Sequence, residues 1–104
     1  MSGLPDGRWD GWYEQGGARS PQSQHLLFVD GVLRGEGDDE LGPFDVSGEY
    51  SVSSPTSGRV AWVKTYRGSH SVLYLGEWDG VELRGTWEIW GTRGRFGFVP
   101  PRSR

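Results

Sequence analysis

The chain has 104 residues, 11 Lys and Arg against 14 Asp and Glu, and no Cys. A chain of this length forms one domain with its own core, and the missing Cys removes disulfides, thiolate metal ligands and thiol nucleophiles. A net charge of −3 argues against a nucleic-acid partner, because phosphate binding rests on Lys and Arg.

The first strand is expected over residues 8–15, with large aromatics on both parities. The Gly-, Ser-, Pro- and Gln-rich stretch 16–23 reads as the least structured part of the chain. A second strand follows at 24–30. Asp30-Gly31 turns it into residues 32–37, since Asp-Gly between alternating runs is a hairpin signal. Residues 38–42 read as an acidic loop, after which Pro43 opens a strand where its missing N–H costs least. That strand alternates cleanly, with Phe44, Val46, Gly48, Tyr50 and Val52 on one face. Residues 53–58 read as a polar loop.

Three alternating runs then lie back to back over residues 59–90, parted by Arg67-Gly68-Ser69-His70 and by Asp79-Gly80. A short last strand, 95–99, ends at Pro100-Pro101. The 18 Gly punctuate aromatic segments and so read as turns and tight bends rather than disorder. The fold expected is all-β: a single antiparallel up-and-down barrel of about eight strands, because closure removes both sheet edges. The barrel spans residues 8–99, with flexible ends at 1–7 and 100–104. No run resembles a signal peptide or reaches membrane-spanning length, so a cytoplasmic protein without a membrane partner is expected.

Gly7-Arg8-Trp9 on the first strand, with Arg95 on the last, resembles the calycin-like group of small barrels, which includes lipocalin-like and avidin-like proteins. The resemblance implies that Trp9 plugs one barrel end beneath a basic side chain, and that barrels assemble wall to wall. Gly85-Thr86-Trp87 is a second echo of such barrels. Gly35-x-Gly37-x-Asp39-x-x-Gly42-x-Phe44, followed by Lys64-x-Tyr66 and Gly68-x-His70-x-Val72-x-Tyr74, is similar to small bacterial barrels without assigned function. Gly11 stands where avidins carry the Asn of G-x-W-x-N, so biotin binding is not implied.

Side-chain parity places Val60, Trp62, Lys64 and Tyr66 on one face and Val72, Tyr74, Gly76 and Trp78 on the face of the next strand. If these faces point inward, so does Lys64, and a buried ammonium needs a carboxylate; Asp39 and Glu14 are the candidates. One reading is a small-ligand pocket walled by Trp12, Trp62, Tyr74 and Trp87, with Lys64, Tyr66, Asp39 and His70 as polar anchors. The other is a filled barrel in which Lys64–Asp39 is a structural pair, favoured by the number of aromatics available to fill the interior.

The function expected is a non-catalytic module binding a small apolar or aromatic ligand. The alternative is a protein-interaction or self-assembly module, with Leu27, Val29, Leu73, Leu75 and Trp90 facing outward. Asp38-Asp39-Glu40 reads as a solvated loop before a metal site. His25 and His70 are too few for zinc, so no metal and no cofactor is expected, haem on one His being a lesser alternative. No G-x-S-x-G elbow occurs, and Glu77, Glu82 and Glu88 read as a solvated outer face, so no enzyme activity is expected.

Overall fold

Period-two alternation becomes sidedness once the sheet closes on itself. The computed structural model describes residues 4–101. It shows a closed antiparallel barrel in simple sequential order: β1 (Gly7–Gln15), β2 (Ala18–Val29), β3 (Val32–Asp39), β4 (Gly42–Ser54), β5 (Ser57–Tyr66), β6 (Ser71–Trp78), β7 (Leu83–Ile89) and β8 (Thr92–Val99). Asp10–Tyr13 of β1 pair with Val99–Phe96 of β8 and close the ring. The strand number and up-and-down order are those expected from the sequence.

The loops are shorter than expected. Residues 16–23 contain only a Gly16-Gly17 turn, with φ of 60° and 86°, and β2 starts at Ala18. Pro21 is accommodated because β3 joins β2 only from Gln22 onward, leaving one side of Pro21 outside that ladder. Asp38 and Asp39 belong to β3 rather than to an acidic loop, paired with Pro43 and Gly42. Pairing likewise runs through a bulge between Val52 and Ser54 into the expected polar loop, and β8 begins at Thr92. Residues of poor strand propensity are held extended here because a neighbouring strand supplies their backbone partners.

One end of the barrel is closed. The fully buried Trp9 donates its indole N–H to the Pro5 carbonyl at 3.0 Å and meets Trp78 edge-on at 5.7 Å. Leu4 is buried beside this plug, and the Asp6 carboxylate accepts the Phe28 N–H at 2.8 Å. Residues 4–6, expected within a flexible end, are therefore docked. Residues 1–3 and 102–104 of the ends expected to be flexible lie outside the described residues.

The middle of the barrel is filled. Trp62 stacks on Tyr74 at 5.2 Å and 10°, and Phe96 and Phe98 lean on the same indole. Two strands approach closely where an inward side chain is missing: a Cβ on Gly85 would lie 1.9 Å from the Leu75 carbonyl oxygen. No helix among the described residues is long and apolar enough to cross a membrane.

Candidate functional site

The four turns at 16–17, 40–41, 67–70 and 90–91 share the end opposite the Trp9 plug. Below them lies the charged part of the core. Lys64 on β5 alternates with Trp62 and Tyr66 and so points inward, where it is 1% exposed. Its Nζ donates to Asp39 Oδ2 at 2.6 Å, to Gln22 Oε1 at 2.8 Å and to the Tyr74 hydroxyl at 3.3 Å. Tyr66 donates its hydroxyl to the same Asp39 oxygen at 2.6 Å, while Asp39 Oδ1 accepts the Leu41 N–H at 2.8 Å. Asp39 thus ties the β3–β4 turn to the core.

The Lys64 ammonium also sits among aromatic rings: Phe44 at 4.3 Å, Tyr66 at 5.1 Å, Tyr13 at 5.2 Å and Tyr74 at 5.5 Å from their centroids. Burial pushes the Lys64 amine below its usual value, opposed by its hydrogen bond and Coulombic attraction to Asp39. Burial pushes the hydroxyls of Tyr66, Tyr74 and Tyr13 upward, and the negative charge of Asp39 adds to each shift. The network resists ionisation of its phenols and satisfies its own charges.

Above it remains a cavity of about 80 Å³, bordered by Tyr13, Leu41, Tyr66, His70, Tyr74 and Trp87 among others. Ligand pockets for drug-sized molecules run to about 300–1,000 Å³, so this one admits only the end of a ligand. Its rim is apolar. Leu41 is 65% and Trp90 is 85% exposed. His70 lies between two rings, 5.0 Å from Tyr66 and 5.7 Å from Trp90, with its Nδ1 3.0 Å from Ser69 Oγ.

Of the residues singled out in the sequence, the structure brings Lys64, Asp39, Tyr66 and Tyr74 into one network and places His70 and Trp87 beside the cavity. Trp87 is anchored by its indole N–H, which donates to the Glu14 carbonyl at 3.0 Å. Trp62 is not a pocket wall but part of the filled middle.

Trp12 is a correction: it lies on the outside, with the Arg19 guanidinium stacked 3.7 Å over its ring. Trp9, Gly11 and Tyr13 share the inward parity of β1, so Tyr13 takes the interior place. Glu14 is also outward, holding Arg19 at 2.8 Å and Arg95 at 3.3 Å. The hydrogen bond from Arg19 leads in holding its carboxyl below the usual range. Arg95 consequently does not cover Trp9, from which it is separated by most of the length of β1. With Asp39 turned inward, Asp38-Asp39-Glu40 do not converge on one point.

Tyr13, Gln22 and Leu41 were not singled out. Gln22 shares parity with Leu26 and Phe28, a signal hidden by placing residue 22 in a loop. Trp90 belongs to the rim rather than to the outer wall.

A shallower depression of about 730 Å³ lies on the outer wall over β4–β7, with Ala61, Leu75 and Thr86 between the charged Glu49, Arg59, Glu77 and Arg84. It is larger than the mouth cavity but distant from the buried network.

No family model and no curated protein matches the chain. Among solved structures, a redesigned β-barrel superposes with a TM-score of 0.66, covering 97% of this chain and 93% of its own, at 14% identity. At that identity the likeness establishes the fold alone.

Proposed function

We propose that the protein is a non-catalytic binding module that receives a small apolar or aromatic group at the open mouth of the barrel. The observation that carries this reading is Trp90. It occupies the first position of a two-residue turn at φ 49°, a left-handed conformation that favours Gly, Asn or Asp, yet it presents a largely exposed indole whose ring neighbour, at 5.7 Å, is His70, a residue that borders the cavity. Strain of this kind concentrates at functional positions. The filled middle confines the ligand to the mouth, and the charges beneath are directed at one another, which favours binding over catalysis. A calycin-like relationship and a bacterial, cytoplasmic setting belong to this proposal.

A second reading is self-assembly through the outer wall. The register places Val63 beside Leu73 and Ala61 beside Leu75, and Val63, Leu73 and Leu75 are 40–48% exposed. Native mass spectrometry on protein from its own source separates the two. A reproducible added mass that Trp90→Ala abolishes supports the mouth. A bare multimer transfers the function to the wall, and a bare monomer overturns ligand retention.

A further inference from the structure

Resting on the mouth reading above, we infer that the apolar surface received there is that of the methyl groups on a methylated ammonium, the head of a small organic cation of the choline kind. The rings that border the cavity are those that already serve an ammonium from below. Tyr13, Tyr66 and Tyr74 hold Lys64 Nζ at 5.2, 5.1 and 5.5 Å from their centroids, and the same three side chains, with Trp87, line the space above. Aromatic surroundings attract cations through the ring quadrupole and recognise quaternary ammonium groups, which are too large and too weakly hydrated to demand hydrogen bonds.

The size agrees. A volume of about 80 Å³ equals two to three water volumes at about 30 Å³ each, enough for the methylated face of such a group and not for a large apolar ligand. The charge agrees as well. Lys64 is neutralised by Asp39 at 2.6 Å, so the pair presents no net charge to the cavity. Arg19 and Arg95 are held on the outside by Glu14, and Arg67 by Glu36 and Asp45. Glu40 forms no ion pair among the described residues and receives only the Ser20 hydroxyl, at 3.3 Å. It is one of the two carboxylates whose charge reaches Tyr13 at the cavity wall. Arg93, beside the 90–91 turn, forms no ion pair among the described residues but stands opposite Glu88 across the strands. Aromatic walls, Leu41 at the cavity edge, and the Glu40 carboxylate on the neighbouring turn form a receptor for a cation with an apolar surface.

The test compares choline with 3,3-dimethylbutan-1-ol, its neutral carbon isostere, by following the indole signals of Trp87 and Trp90 in proton–nitrogen NMR titrations of the intact protein. Choline is expected to bind about tenfold tighter than the isostere. Glu40→Gln, a rim change away from the core, should reduce that preference and its salt dependence while leaving the fold intact. Equal binding of both compounds at these indoles would overturn the cation assignment and leave the mouth as an apolar site. If neither compound moves the indoles, the assignment fails, whereas an added mass still dependent on Trp90 would uphold the mouth itself.

Discussion

Lys64 is the residue on which the interior depends most. An ammonium that is 1% exposed is tolerated because Asp39, Gln22 and Tyr74 accept its hydrogen bonds and four rings surround it. Removing one member of a buried pair leaves the other charge unpaired, which costs about 3–5 kcal/mol. Lys64→Met is therefore expected to destabilise the protein by about that amount, measured by urea unfolding. Adding Asp39→Asn should recover a large part of the loss, because the stranded carboxylate is gone. If the double variant is as unstable as the sum of the single ones, the pair is not coupled as the geometry requires. Tyr66 donates to the same carboxylate, so its hydroxyl keeps a charged acceptor in Lys64→Met and loses it only when Asp39→Asn is added.

At the level of the hairpins, two turns of the same geometry carry very different residues. Asp30-Gly31 has φ values of 50° and 83°; Trp90-Gly91 has 49° and 79°. Asp tolerates the left-handed region through its short polar side chain, whereas a bulky residue there is disfavoured by about 1–2 kcal/mol. The strands on either side of Trp90 pair normally, Ile89 with Thr92, so the turn does not need the indole. Trp90→Asn is expected to raise stability by about 1 kcal/mol, an increase of several degrees in melting temperature, even though the ring contact with His70 is lost. Calorimetry of the variant checks this. A fall in stability would mean that the indole holds the turn together, and would remove the main support for a binding role.

At the scale of the molecule, the burial of phenols sets the response to alkali. Tyr13, Tyr66 and Tyr74 all have hydroxyls raised above the usual 10.0, with burial the leading cause. In the unfolded chain they ionise near pH 10, so their stabilising contribution is complete below that pH and is lost as pH rises through the raised values. Lys64 acts oppositely. Its lowered value means that stability is regained as pH rises from that value toward 10.5. Three phenols outweigh one amine, and unfolding free energy is expected to fall above about pH 10. Denaturant titrations at successive pH values, with phenolate absorbance followed in parallel, should show these tyrosines ionising together with unfolding. Tyr66→Phe should flatten the slope. Ionisation of all the tyrosines within a folded protein would contradict the buried network.

Strand number, strand order and several turns were legible in the sequence because those features are local: alternation at period two and Asp-Gly or Gly-rich breaks are read within one hairpin. The sequence also put Lys64 on the face of Trp62 and Tyr66, but β6 carries Leu73 and Leu75 opposite Val72, Tyr74 and Trp78, and only the closed barrel settled that this face points inward. Parity along β1 was illegible, because Trp9, Trp12 and Tyr13 put aromatics on both faces; closure against β8 and pairing with β2 sent Tyr13 in and Trp12 out. Gln22 was hidden in a stretch that looked unstructured, and only a partner strand on either side holds it extended beneath the mouth. Only the folded barrel shows that the middle is filled by Trp62, Phe96 and Phe98 and that the remaining space lies among Tyr13, Tyr66, Tyr74 and Trp87. Which side chains meet across a barrel depends on strand stagger and closure, and these are set by contacts between residues far apart in the chain.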